Sequence, residues 1–377
     1  METPFVFGKI AADKNFTDRK GETDQLVSNF LSQTNTILIS PRRWGKSSLV
    51  ARAAEISTKR TDNIRFCFVD LYNIRTEEEF YQSLARKVLL TTSTKVENIM
   101  DNARKFMGRL IPNLSFSPDS ISDFSLGLDW QEVKKHPDDI LNMSENIAEE
   151  KNLKIIVCID EFQNLSTFSD PLSMQKKLRS HWQKHKRTSY CLYGSKRHML
   201  MDVFASPSMP FYKFGDLIFL QKIAEKDWVK FILGRFSETG KEISENEAML
   251  ITKLVECHPY YVQQLAQQSW LRSMDQCSTD IVIESHENLM LQLSMLFQSI
   301  TEELTNKQIN FLKALLDEVP QLSASDILRS YKLGTSANVL RMKQALSNKE
   351  IIDIQGDNVS FQDPVFKHWL KKYYFRI

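Results

Sequence analysis

Gly45, Lys46 and Ser47, followed far downstream by the adjacent pair Asp160 and Glu161, are the residue types that hold a phosphate chain and break it with water. The stretch Thr36 to Val50, TILISPRRWGKSSLV, runs from apolar residues through Pro41, Arg42, Arg43 and Trp44 into Gly45-Lys46-Ser47-Ser48. Backbone N–H groups in such a turn, with a helix N-terminus behind it, converge on an anion. Gly45 stands where the backbone approaches the phosphates most closely, Lys46 would reach the β- and γ-phosphates, and Ser47 would ligate Mg²⁺. The pattern G-x-x-x-x-G-K-[ST] is complete except at Ser40, which replaces the first glycine. Ser40 falls where strand turns into loop, so the replacement is tolerable if its φ is negative. A basic surface turn is the blander alternative.

The second half of the site is KIIVCIDEFQNL, an apolar run ending on Asp160 and Glu161. In this position the aspartate holds Mg²⁺, usually through water, and the following carboxylate orients the attacking water. Such a pair is common at strand ends and says little alone; behind Gly45-Lys46-Ser47 it becomes specific. One strand further on, SYCLYGSKRHML places Ser195 after Gly194, where a hydroxyl would touch the γ-phosphate or the attacking water. Serine after glycine also makes a plain turn, and both readings stand.

These groups need a scaffold. TILIS (36–40), RFCFVDL (65–71), KIIVCID (154–160), SYCLYGS (189–195) and DLIFLQ (216–221) read as buried strands. Helical patterns such as Lys46–Lys59 and Thr76–Leu90 separate most of them. That alternation predicts an α/β core, a parallel sheet sandwiched by helices, over residues 1–222. An inserted β-hairpin is expected near 113–130, where apolar and polar residues alternate around a turn. From 223 to 300 only helical spacing remains, as in AEKDWVKFILGRF and HPYYVQQLAQQSWLRSM, which predicts an all-α segment. Residues 301–377 give three helices, the second opening with serine caps, and then two short strands around Gly356-Asp357. That is the order of a winged helix-turn-helix. Its third helix, from Ser336, is expected to turn Val339, Leu340 and Leu346 inward and Arg341 and Lys343 outward.

Composition sets the outer limits. The 377 residues are 42% hydrophobic and 25% charged, which suits a soluble globular protein, and the formal net charge is only +2. So weak a charge gives no whole-chain argument for nucleic acid. The N-terminus lacks a basic start followed by a long apolar run, so no secretion signal is expected. No stretch approaches the roughly 20 apolar residues of a membrane span. Five cysteines without framework spacing predict free thiols and a cytoplasmic protein.

The chain resembles the archaeal-type ATPase family, a branch of the P-loop ATPases placed with the AAA+ and STAND groups and related to replication-initiator ATPases. The motifs that carry this are FTDRKGE (16–22), SPRRWGKSSL (40–49), VCIDEFQNL (157–165), YGSKRHM (193–199), HPYYVQQLA (258–266) and FQDPVFKHWL (361–370). The resemblance implies an ATPase core using ATP and Mg²⁺, a helical lid and a winged-helix tail. It places Arg19 near the adenine and ribose edge, and His258-Pro259 at a lid position that senses the nucleotide. The bland counterparts are a surface charge for Arg19 and a proline-started helix for His258-Pro259. Relatives often have glycine at the position of Cys257. The tail could read DNA through Ser336, Asn338, Arg341 and Lys343, with Lys371 and Lys372 on phosphate. The alternative is a STAND-like signalling or defence ATPase whose winged helix docks a protein partner or a second copy.

Overall fold

The computed structural model describes residues 3–11, 13–93, 96–110 and 127–377. The hairpin expected near 113–130 lies almost wholly outside the described residues. The chain forms two compact units, one of Arg19–Gln221 and one joining Met1–Asp18 to Lys222–Ile377.

The Arg19–Gln221 unit is built on five parallel strands: β1 (Thr36–Ile39), β2 (Ile64–Asp70), β3 (Lys154–Asp160), β4 (Thr188–Gly194) and β5 (Asp216–Phe219). Their order is β2-β3-β4-β1-β5. Strands in such a sheet are covered on both faces and therefore read as unbroken apolar runs. Every residue of β1 and β4 is buried, as is Ile155–Ile159 of β3. Helices α1 (Lys20–Leu31), α2 (Lys46–Arg60) and α3 (Glu77–Thr92) supply much of the cover. α2 buries Leu49, Val50, Ala53, Ala54 and Ser57, a stripe at three- and four-residue spacing. α3 opens on Thr76 with a reciprocal cap, Thr76 to the Glu79 N–H and the Glu79 carboxylate back to the Thr76 N–H.

Register decides which residues meet. Ile39 pairs with Gly194, Ile159 with Leu192 and Asp70 with Asp160. The residues leaving β1, β3 and β4 therefore emerge side by side at the carboxyl edge of the sheet, where open α/β folds bind ligands.

The other unit shares one apolar core that draws on Phe5, on helices Glu225–Ser237, Pro259–Arg272 and Thr279–Gln292, and on the tail. The first residues, read with the core on sequence, pack here. Phe5 is 1% exposed beside Phe231 and Phe236, and the Val6 N–H donates to Gln263 Oε1 at 3.0 Å. The helix Ser294–Glu302 runs across the expected boundary at 300. Beyond it come the three tail helices, Asn306–Leu316, Ser325–Ser330 and Ser336–Asn348, and an antiparallel pair, Ile352–Gln355 with Asn358–Phe361. The segment expected to be all-α carries a short parallel strand pair, Glu242–Ile243 with Gln276–Cys277, and the tail differs from expectation in two details. The Ser325–Ser330 helix has Ala324 at its N-cap and no side-chain cap. In the third helix Val339, Met342 and Leu346 are buried, but Leu340 is 70% exposed. Each helical residue turns about 100°, so Leu340 leaves the face that Val339 begins, while Met342 and Leu346 return to it.

All five cysteines are free. Among the described residues no helix is long and apolar enough to cross a membrane.

Candidate active site

The loop between β1 and α2 takes the left-handed conformation twice, at Arg43 (φ 63°) and Gly45 (φ 86°). A side chain at Gly45 would meet nothing within 4 Å, so it is the backbone angle, not space, that favours glycine there. Ser40 is not among the residues of positive φ; it is 1% exposed and donates its hydroxyl to the Pro41 carbonyl at 3.1 Å. The corner therefore does not need the missing glycine. Pro41 is buried beside it, Arg42 and Arg43 are exposed, Trp44 is half-buried, and Ser48 is 8% exposed within the first turn of α2.

Lys46 opens α2, and no acidic residue follows it in the first turn. A cation at the positive end of a helix is unfavourable. Its compensation lies across the site: Lys46 Nζ is 3.1 Å from Glu161 Oε1 and 3.8 Å from Asp160 Oδ1. The Ser47 hydroxyl donates to Asp160 Oδ2 at 2.8 Å. Glu161 follows β3 in a left-handed turn, φ 51°, and its Oε2 accepts from the Ser195 hydroxyl at 3.0 Å and from Gln163 Nε2. Lys46, Ser47, Asp160, Glu161 and Ser195, expected from separate motifs, thus form one linked cluster.

The two carboxylates differ in electrostatics. Burial pushes Asp160 above its usual range, and the nearby Lys46 charge and Ser47 hydroxyl do not fully offset it. Burial acts the same way on Glu161, but there the Lys46 charge and donors from Gln163, Lys46 and Ser195 outweigh it, so its carboxyl is held below the usual value. Glu161 is thereby kept ionised at neutral pH.

A hydroxyl and a carboxylate oxygen are hard donors of the kind Mg²⁺ takes, and Mg²⁺ commonly uses only one or two protein ligands beside phosphate and water. Ser47 and Asp160 fit that description. Among the described residues no group of three or more His, Cys, Asp and Glu could hold a metal by itself.

Arg19 is not a surface charge. It is 3% exposed, sits at φ 64° ahead of α1, and its guanidinium donates to Glu22 Oε1 at 3.1 Å, to the Gln221 carbonyl, and to the Trp44 carbonyl at 3.4 Å. It joins the start of α1, the loop ahead of α2 and the end of the unit. Arg19→Ala would take this donor from the part-buried carbonyls of Trp44 and Gln221, at about 1 kcal/mol per lost bond, and would empty a buried site. A fall of several degrees in the thermal midpoint is expected; an unchanged midpoint in calorimetry would show the contacts to be dispensable.

His258 and Pro259 lie in the other unit. His258 is 6% exposed at the N-cap and Pro259 occupies the first turn of its helix. Cys257 just before them has φ 56°, the backbone angle that glycine prefers. In the tail, Ser336 and Arg341 are exposed and Asn338 is half-buried; Lys343, expected outward, is half-buried too, because it follows the buried Val339 by four residues and so lies roughly 40° from that face. The Asn338 N–H is the one that the Thr335 cap accepts. Lys372 is paired with Glu287 and Lys367 with Glu256.

Sequence reasoning passed over Asp70, which ends β2 in register with Asp160, and Gln163. The signal for Asp70 is an acidic residue one place before the end of RFCFVDL; for Gln163 there is only its place in DEFQ.

This sheet order, with the loop at the head of α2 and the acidic pair closing β3, defines a P-loop ATPase fold, and the chain ends in a winged helix. A family model described as "Probable winged helix domain" matches residues 295–372. The Walker-type ATPase of Pyrococcus abyssi is similar over 98% of this chain and 99% of its own, with 17% identity and a TM-score of 0.68. The ORC2 protein of Aeropyrum pernix, in ADPNP and ADP complexes, covers 97% of this chain and 98% of its own at 13% identity and a TM-score of 0.51. The ORC1 protein of that organism, in complex with DNA, covers 100% and 99% at 12% identity and a TM-score of 0.50. No curated protein sequence matches the chain.

Proposed function

We propose that the chain binds and slowly hydrolyses ATP with Mg²⁺, and that its nucleotide state governs a winged helix that contacts DNA. The observation that carries the reading is the convergence of Lys46, Ser47, Asp160, Glu161 and Ser195 at one edge of the sheet. In this reading the loop from Ser40 to Ser48 cradles the phosphates, and Lys46 exchanges its pairing with Glu161 for phosphate oxygens. Ser47 and Asp160 would hold Mg²⁺, which would supply positive charge against the phosphates. Glu161 then accepts a hydrogen bond from the attacking water while Ser195 fixes the far side of its carboxylate. Arg19 supports the loop through the Trp44 carbonyl, and a nucleotide-sensing role for His258-Pro259 rests on the family resemblance. Calorimetric titration with ATP, with Mg²⁺ and again with excess chelator, tests this directly. Heat of binding that depends on the metal supports it, and no binding in either condition overturns it.

DNA contact would fall on the Ser336–Asn348 helix, where Arg341 is exposed and Lys343 half-buried. If Arg341 and Lys343 meet phosphates there, Arg341→Ala with Lys343→Ala should weaken DNA binding and flatten its salt dependence, the log–log slope falling by about two. Fluorescence anisotropy on duplex DNA across a salt series would show it. A second reading, docking of a protein partner, is favoured by one observation: Leu340, next to Arg341, stands 70% exposed. Loss of a partner on Leu340→Ser, with DNA retention untouched by the basic pair at every salt concentration, would select that reading.

A further inference from the structure

We propose that Gln163 is the positioning residue for the Glu161 carboxylate, and that Gly194 is a glycine in order to make room for it. The inference rests on the ATPase reading above and concerns a residue which that reading leaves without a task. Gln163 is 2% exposed in the short helix Phe162–Thr167 that follows β3. Its Nε2 donates to Glu161 Oε2, the same oxygen that takes the Ser195 hydroxyl at 3.0 Å. Its other amide atom, Oε1, is buried with no hydrogen-bond partner. A buried acceptor without a donor is unfavourable and calls for an explanation. The explanation here is that the amide is oriented by its charged end: only a donor is useful against a carboxylate, so the carbonyl must face the other way.

It faces Gly194. A Cβ built on Gly194 would stand 1.9 Å from Gln163 Oε1 and 3.0 Å from Cδ, so the Gln163 amide would have to leave its present place. The glycine has an ordinary φ, since it is not among the residues of positive φ, so freedom of rotation is not why it is there. Close approach is. Gly194 also precedes Ser195 directly, so one strand end supplies both the space for Gln163 and the second donor to Glu161. Oε2 of Glu161 is thus clamped from two sides, while Oε1 faces Lys46 at 3.1 Å. When Lys46 turns to phosphate, Oε2 stays anchored and Oε1 is left to meet the water. A carboxylate free to swing would reach that water in only a fraction of its orientations.

The test uses the full chain and the variants Gln163→Leu and Gly194→Ala, alone, together and each in a Glu161→Gln background. Affinity for a fluorescent ATP analogue with Mg²⁺ should stay within about threefold of the parent, while the single-turnover rate at saturating ATP falls about 10- to 100-fold, the scale of a small misplacement of a reacting group. The double variant should be no slower than either single one, and in the Glu161→Gln background neither should cost more than about twofold, because the residue through which they act is gone. Melting of the nucleotide-free chain supplies a reading apart from activity: the losses in midpoint from Gln163→Leu and Glu161→Gln should not add. Hydrolysis by Gln163→Leu as fast as the parent overturns the inference, and so does an equal loss in the Glu161→Gln background, which would mark a merely structural part. A parent that binds no ATP with Mg²⁺ overturns the ATPase reading itself and the inference with it, and the titration of the parent tells these cases apart.

Discussion

Lys46→Ala is expected to lower affinity for ATP with Mg²⁺ at least about a hundredfold, because a charged hydrogen bond to phosphate contributes roughly 1.5–3 kcal/mol and the charge also draws the anion in. The fold should survive. Lys46 sits at the head of α2, not in the apolar core, and its side chain is 10% exposed. The variant nonetheless carries a signature in stability. With the cation gone, Asp160 and Glu161 remain half-buried and unneutralised, so both pKa values move up. Carboxyls whose folded pKa exceeds the unfolded one contribute stability that is present at low pH and lost as pH rises through the raised value. The deficit against the parent, on the order of 2 kcal/mol for an unpaired charge at this burial, should therefore be larger at pH 7 than at pH 5. Binding of a labelled analogue and urea melts at the two pH values check both halves. Parental affinity in the variant would remove the nucleotide assignment, and a deficit that grows toward acid pH would reverse the electrostatic account.

The parts of this site that were legible in the sequence are those whose physics is local. β1, β3 and β4 are buried on both faces, so TILI, KIIVCID and TSYCLYG announce themselves by unbroken apolar content, and a loop or carboxylate at their ends is placed by the strand itself. The glycine at 45 is legible because a phosphate loop needs its backbone angle. What stayed hidden depends on residues distant in the chain. Arg19 stands among polar neighbours in FTDRKGE and looks solvated, yet its partners include carbonyls at 44 and 221. Gln163 looks like any surface amide until Gly194 is brought against it by the pairing of β3 with β4. Lys372 reads as a positive charge available to phosphate near the end of the chain; its acidic partner lies at 287. Leu340 departs from its expected inward face for a simpler reason: it adjoins Val339 in sequence, and on a helix adjacency places two residues on different faces. The winged helix was legible throughout because its order of three helices and a hairpin is itself the signal, whereas its ligand is not, since exposed Arg341 and exposed Leu340 point to different partners.

Glu161→Gln should separate binding from chemistry, with turnover down about 10²- to 10³-fold, within the usual contribution of a general base. The carboxylate is ionised at neutral pH: burial works against its charge, but Lys46 and the donors from Gln163 and Ser195 prevail. An ionised group in that position takes a hydrogen bond from water at the moment the water attacks, which an amide of the same shape does far less well. Its contribution belongs to the transition state, so losing it lowers the rate without weakening the ground-state complex. The geometry adds a second expectation. Glu161 Oε1 stands 3.1 Å from Lys46 Nζ, so the carboxylate competes with phosphate for the same ammonium group. Neutralising Glu161 removes that competitor, and only Asp160, at 3.8 Å, still draws on Lys46. ATP with Mg²⁺ should accordingly bind several-fold more tightly to Glu161→Gln than to the parent while being retained unhydrolysed. Equilibrium binding of labelled ATP paired with a single-turnover assay measures both quantities in one preparation. Unchanged turnover would move the water-orienting role to another residue, and weaker binding with slow turnover would show that Glu161 supports the nucleotide instead of competing with it.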